Sequence, residues 1–220
     1  VVRGTGADVV VLQEAPRRFR WRYKCAALAD RLGLVVAAGG LPALGNLLLT
    51  NLRVRVRRTW CQRYPLTPGR HLRGAVFAEC AVGPVAAPST ATAPAPGEAW
   101  FVVAGTHLST DPEERPGQAD RFRRELSTVR LPVIVGADVN ETPDGRAWGT
   151  IAAGLTDAGL VTGCGDQATF PCADPRRRID GLFVDERIEV LGYEVLDDER
   201  TRRASDHFPI LADLRLPVAG

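Results

Sequence analysis

Uninterrupted apolar stretches of this chain, such as those around Val9 to Leu12 and Val133 to Val135, are no longer than a β-strand. Short continuous runs of this kind suit strands covered on both faces, separated by loops. Asp8 to Gln13 (DVVVLQ) reads as such a strand, ended by Ala15-Pro16. Asn46 to Thr50, Ala75 to Val82, Trp100 to Leu108, Pro132 to Val135 and Leu182 to Val184 read as others. Arg53 to Trp60 alternates arginine with valine, which predicts a half-buried strand with the arginines on a wet face. Helices are expected over Arg22 to Leu32, with Gly33 as the stop, and over Pro116 to Val129, where Phe122 and Leu126 share one side. The low-complexity stretch 84–97 (PVAAPSTATAPAPG) cannot supply a core. It reads as a long Pro/Ala-rich loop between two neighbouring strands, inside a single domain spanning 1–220.

Composition narrows the class. With 45% hydrophobic and 25% charged residues, 220 residues are enough for one sizeable core. No apolar run approaches the roughly 20 residues of a membrane span, so none is expected. A formal charge of +2 is too mild to argue for nucleic acid, and Lys24 is the sole lysine among the basic residues. The five cysteines are odd in number and form no CxxC pair, which argues against a disulfide framework or a zinc site and for buried or incidental thiols. The chain has no methionine and opens at Val1 on what reads as the tail of an element feeding a strand. Sequence upstream of Val1 is therefore expected. That leaves a signal peptide open, although a cytoplasmic location is favoured.

The chemistry lies at the strand ends. Glu14 closes the DVVVLQ strand, where a charge directly after a buried run needs solvent or a cation. His107, one of three histidines with His71 and His207, ends the strand from Trp100. Asp138 and Asn140 in GADVN stand two residues apart at the end of another, so extended backbone turns both to one face. Taken alone, GADVN serves equally well as a turn. Asp180 in RIDG sits at the mouth of the Leu182 strand, and SDHFP, Ser205 to Pro209, precedes the last apolar run. In extended backbone Asp206 and His207 point to opposite faces, so one could hold a metal while the other handles a proton or a phosphate oxygen.

The order of these segments along the chain resembles the endonuclease/exonuclease/phosphatase superfamily, the DNase I-like metal-dependent phosphoesterases. GADVN and SDHFP carry the resemblance best, with LQE at Leu12 to Glu14, GNLLLT at Gly45 to Thr50, GTHLS at Gly105 to Ser109 and TFP at Thr169 to Pro171 in support. The resemblance implies a four-layer αββα sandwich of α/β class, with two mixed sheets face to face and helices outside. It implies a phosphoester hydrolase, foremost a phosphodiesterase or nuclease, acting through metal-assisted in-line attack of water. Glu14 would be the principal Mg²⁺ ligand with Asp206 near the metal, and Mn²⁺ is a conceivable substitute. Asp138 would orient or deprotonate the water, and Asn140 would hold a nonbridging phosphate oxygen. His207 paired with Asp180 would bind the scissile phosphate. His107 matches a second phosphate-contacting position.

Two departures stand out. The family's first strand ends in an asparagine of the metal and nucleophile network, and no residue here matches it. Its absence would leave its sheet neighbours with an unpaired edge. Ala137 also separates Gly136 from Asp138, where the family reads Gly-Asp directly. The expected partner is a phosphoester substrate, with nucleic acid among the candidates, handled by a monomer. The run Arg17 to Lys24 (RRFRWRYK) could grip phosphates and stack bases, or equally form a basic first turn with its aromatics buried. A catalytically impaired relative, or a phosphomonoesterase of small substrates, is the alternative reading.

Overall fold

The computed structural model describes residues 1–84 and 91–220, so the Pro/Ala-rich loop expected at 84–97 lies partly outside the described residues. In chain order the elements are β1 (Val9–Leu12), α1 (Trp21–Leu32), β2 (Val35–Gly39), β3 (Leu47–Thr50), β4 (Arg55–Arg63), β5 (Gly74–Val82) and β6 (Ala99–His107). Next come α2 (Arg115–Leu126), β7 (Val133–Asp138), α3 (Arg146–Ala152), β8 (Thr156–Asp157), α4 (Ala158–Val161), β9 (Asp180–Val184), β10 (Glu189–Val195), α5 (Glu199–Ala204) and β11 (Ile210–Arg215). Six strands form one sheet in the order β4-β5-β6-β7-β9-β8; β1-β3-β2 form a second, and β10-β11 an antiparallel ribbon. The strands flanking the Pro/Ala-rich loop, β5 and β6, are antiparallel neighbours as expected. β6 and β7 run parallel, with α2 as the crossover.

Three apolar cores define the layers. Val102 and Ala104 of β6, Val133 and Val135 of β7 and Phe183 of β9 pack under Phe122 and Leu126 of α2 and Trp148 and Ile151 of α3. The alternate residues of the same large sheet, such as Val76, Ala78, Phe101 and Val103, turn inward to meet Leu48, Val9 and Val11. Val10, Leu12, Leu47 and Leu49 face outward onto Cys25, Ala29 and Leu32 of α1. The layers are thus helix, sheet, sheet, helix. This explains why β5 and β6 are apolar without alternation: each strand is covered on both sides. The two sheets approach closely where glycine stands, because a Cβ on Gly105 would lie 2.6 Å from Val11 Cγ1 and one on Gly136 3.1 Å from Val11 Cβ. α1 ends where expected, at a left-handed Gly33 whose N–H reaches the carbonyls of Ala29 and Asp30.

β4 departs from its expected alternation. A bulge between Val56 and Arg58 interrupts its pairing with β5, leaving Val56 39% exposed while Arg57 lies partly buried, 3.2 Å from the centre of the Trp100 ring and 3.1 Å from Glu79. One extra residue re-aims the side chains beyond it. All five cysteines are free thiols, in keeping with the sequence. Among the described residues no helix is long and apolar enough to cross a membrane.

Among the described residues β1 is paired only with β3, and β11 only with β10. The free edges of both line one cavity of about 1760 Å³. Backbone N–H groups on those edges lack a ladder partner, whereas β6 is flanked on both sides. Hydrogen–deuterium exchange followed by NMR is expected to give alternating fast and slow amides along β1 and β11, against uniform protection along β6. Uniform protection of β1 would contradict the unpaired edge.

Candidate active site

Three paired strands build the site by register. His107 of β6 stands opposite Asp138 of β7, and Asp138 stands opposite Asp180 of β9. Each lies on the face turned toward the second sheet, in phase with Val103, Ile134 and Leu182 of their own strands. One row therefore carries an imidazole and two carboxylates. His207 enters from the loop before β11: its Nδ1 lies 2.8 Å from Asp180 Oδ2, and its ring packs against Phe170 at 4.7 Å between centroids. Ligand atoms of Asp138, Asp180 and His207 all lie within 4.8 Å of one another.

Backbone contacts lock these pieces together. The buried Thr169 hydroxyl accepts the N–H groups of Ile179 and Asp180 at 3.2 and 3.3 Å, while its carbonyl accepts Phe208 N–H at 2.8 Å. Cys172 N–H donates to the carbonyl of Asp206 at 2.8 Å. The Thr169-Phe170-Pro171 segment thus clips the Asp180 strand to the SDHFP loop. Asn140 takes a left-handed φ of 56°, a conformation asparagine tolerates better than most residues. There its N–H donates to Asp138 Oδ1 at 3.0 Å, and its side-chain amide donates to the carbonyl of Leu108 at 3.0 Å.

The two histidines differ in charge. Burial works against a charge on His207, but the hydrogen bond it donates to Asp180 and the carboxylates of Asp180, Asp138 and Asp206 outweigh it and raise its pKa to about 9. His107 is pushed well below the usual histidine range, by burial first and then by the guanidinium of Arg73. Asp138 is raised to about 7, because burial and the nearby Asp180 disfavour its charge more than His207, the Asn140 N–H and Arg73 favour it. The row thus holds a neutral imidazole, a carboxylate that exchanges its proton near neutrality, and an imidazolium beyond it.

Glu14 and Asp206 lie on the same cavity but outside that row. Glu14 leaves β1 with φ 55°, its side chain 75% exposed, its nearest charged partner Arg73 at 3.8 Å. Asp206 is exposed and has no side-chain partner among the described residues. Both are carboxylates, the hard oxygen donors that Mg²⁺ takes, so their chemistry suits such an ion. All seven expected residues, Glu14, His107, Asp138, Asn140, Asp180, Asp206 and His207, therefore border one cavity, although only Asp138, Asp180 and His207 form a tight cluster.

Sequence reasoning passes over Arg73. It is buried, lines the cavity, and reaches His107 Nδ1 through Nη1 at 3.0 Å. The signal that singles out Glu14, a charge abutting a buried strand, applies equally to Arg73 before β5. Of the basic and aromatic run, Phe19 and Tyr23 are exposed rather than buried, with the Arg20 guanidinium 5.1 Å from the Tyr23 ring centre, whereas Trp21 packs over Gly40.

No family model matches the sequence, and no curated protein matches it either. Solved structures do. An endonuclease/exonuclease/phosphatase from Bacteroides vulgatus is 20% identical, with 98% of this chain and 87% of that chain aligned at a TM-score of 0.73. A mannosyl-6-phosphatase from Bacteroides thetaiotaomicron is 16% identical over 98% and 88% of the two chains, with a TM-score of 0.74. TDP2 from D. rerio, complexed with a single-strand DNA product, is 16% identical over 97% and 88%, with a TM-score of 0.67. At such identities the likeness is one of fold: the chain has the endonuclease/exonuclease/phosphatase fold.

Proposed function

We propose that the protein is a Mg²⁺-dependent phosphoester hydrolase that prefers phosphodiesters. The observation that carries this reading is the row itself, with Asp138 held between a neutral imidazole and the cationic His207–Asp180 pair at the wall of an open cavity. An acceptor beside a cation suits attack by water on an anionic ester. Asp138 takes the proton of the water, while His207 Nε2–H, which has no protein partner among the described residues, donates to a phosphoryl oxygen. Asn140 retains one amide hydrogen for a second oxygen. Asp180 keeps His207 charged and oriented. A divalent cation on Glu14 and Asp206 would neutralise charge on the substrate. The fold it shares with a mannosyl-6-phosphatase and with a TDP2 crystallised with DNA product supports the reaction class and leaves monoester and diester substrates to experiment.

Hydrolysis of bis(p-nitrophenyl) phosphate, p-nitrophenyl phosphate and plasmid DNA, each with Mg²⁺ and with chelator, tests the reading. Turnover of no phosphoester in the panel would refute it. The unpaired edges of β1 and β11 beside the site favour one second reading, a chain that binds phosphoesters without cleaving them. Diester binding without turnover would identify that case.

The pH profile has a definite sign. Asp138 works when ionised, so kcat/KM for the diester is expected to rise as pH passes about 7. His207 works when protonated, so the rate is expected to fall as pH passes about 9. His207→Ala should lower the rate and remove the alkaline fall; an alkaline limb that persists in this variant would assign it to another group.

A further inference from the structure

Both ring nitrogens of His107 are engaged, and their partners differ in kind. Nδ1 lies 3.0 Å from Nη1 of Arg73, and Nε2 lies 3.0 Å from Oδ2 of Asp138. A guanidinium has five N–H donors and no acceptor, so Nδ1 must receive this bond through its lone pair. The ring proton then sits on Nε2 and is donated to the carboxylate. In the opposite tautomer, two N–H groups would meet at Arg73 and two lone pairs at Asp138. A doubly protonated ring keeps the first of these conflicts. The three groups have little room to escape them, since Arg73 is 8%, His107 6% and Asp138 5% exposed. The backbone beside Arg73 is fixed as well: Gly74 is paired opposite His107, and a Cβ there would meet the Gln62 carbonyl oxygen at 2.4 Å.

We infer that Arg73 is a positioning residue acting through His107: it fixes the ring as the neutral Nε2–H tautomer, and that polarity aims the remaining lone pairs of Asp138 into the cavity. The carboxylate receives one donor on each oxygen, Asn140 N–H on Oδ1 and His107 Nε2–H on Oδ2. Each oxygen keeps a second lone-pair site for a water. The two histidines of the site have oppositely charged partners on Nδ1. The carboxylate behind His207 makes it a cation that gives protons outward, while the guanidinium behind His107 makes it a neutral relay that gives its proton inward. His107 then serves Asp138 rather than the phosphate.

The catalytic part of this inference rests on Asp138 as the water-activating group; the tautomer does not. Nitrogen NMR of the whole chain with ¹⁵N-labelled histidine, at neutral pH, reads the tautomer directly. The expected result is an unprotonated Nδ1 and a protonated Nε2 for His107, and a protonated Nδ1 would overturn the inference. In Arg73→Met the same spectra are expected to show a mixture of tautomers; an unchanged ring would mean that Arg73 does not set it. Two variants of His107 test the consequence for rate. The carboxamide of His107→Gln can accept from Arg73 and donate to Asp138, so it is expected to turn over bis(p-nitrophenyl) phosphate about tenfold faster than His107→Leu, at similar KM. Equal losses in the two, both folded by thermal melting, would overturn the positioning role. If the parent chain is inert on every phosphoester, the phosphoesterase reading fails, while the nitrogen spectra decide the tautomer on their own.

Discussion

Asp138→Asn is expected to lower turnover of the phosphodiester by about a thousandfold, within the range seen when a general base is removed. The carboxamide has the size of the carboxylate but cannot take a proton from water. The same substitution should leave folding intact, and this separates it from a merely disruptive change. Asp138 is buried beside Asp180, and its pKa is raised in the folded chain above its ordinary carboxylate value, to about 7. The stability this group contributes is therefore fully present at acid pH and lost as pH rises through about 7, where the folded protein must carry the charge. Asparagine carries none. The difference in melting temperature between Asp138→Asn and the parent should move in favour of the variant as pH is raised from 3.8 toward about 7, and level off above that. Retained turnover would remove Asp138 from the chemistry; a melting difference constant with pH would mean that its burial does not disfavour the charge.

The second large effect is on stability. Arg178, 5% exposed, forms a two-pronged pair with Asp157, Nη1 to Oδ2 at 3.0 Å and Nη2 to Oδ1 at 2.5 Å, and lies 4.9 Å from the centre of the Trp148 ring. Asp157 in turn caps α4 through Gly159 N–H and Leu160 N–H. Arg178→Met would leave the partly buried Asp157 carboxylate without its cation, a change that costs up to about 3–5 kcal/mol for a buried pair. Adding Asp157→Asn to it removes the stranded charge while keeping a capping side chain, so the double variant should recover part of that loss. Denaturant unfolding of the parent, the two single variants and the double variant measures this. A loss under about 1 kcal/mol for Arg178→Met would place the pair among ordinary surface ion pairs. Because Arg178 lies two residues before Asp180, such destabilisation should also loosen the support of His207.

Much of the fold is legible in the sequence because several of its strands are buried on both faces. β1, β3, β5, β6 and β7 appear as continuous apolar runs, since sheet or helix covers each side. β2 is less plain, since its Val-Val-Ala-Ala-Gly is apolar but partly exposed and follows α1 directly, and β10 is one strand of a half-exposed ribbon. The β4 alternation misleads because a single bulged residue, invisible in composition, turns the side chains after it to new faces. The site residues are legible one by one as polar groups terminating apolar runs. Their row is not, because the pairing of His107 with Asp138 and of Asp138 with Asp180 joins segments distant in the chain. The role of Arg73 is hidden for the same reason: its meaning lies in His107, 34 residues away.

The cavity has two walls held in different ways. His107 and Asp138 rise from interior strands of the six-stranded sheet paired on both sides, and Asp180 is paired to Asp138 on one side with its N–H held by the Thr169 hydroxyl. Glu14 and Asp206 hang beside β1 and β11, each braced on one side only. Stiffness in a sheet comes from neighbours on both edges, so the first wall is rigid and the second compliant. The groups that must aim a proton sit on the rigid wall, where an error of an ångström is costly. The carboxylates proposed to hold a cation sit on the compliant wall, where both are exposed.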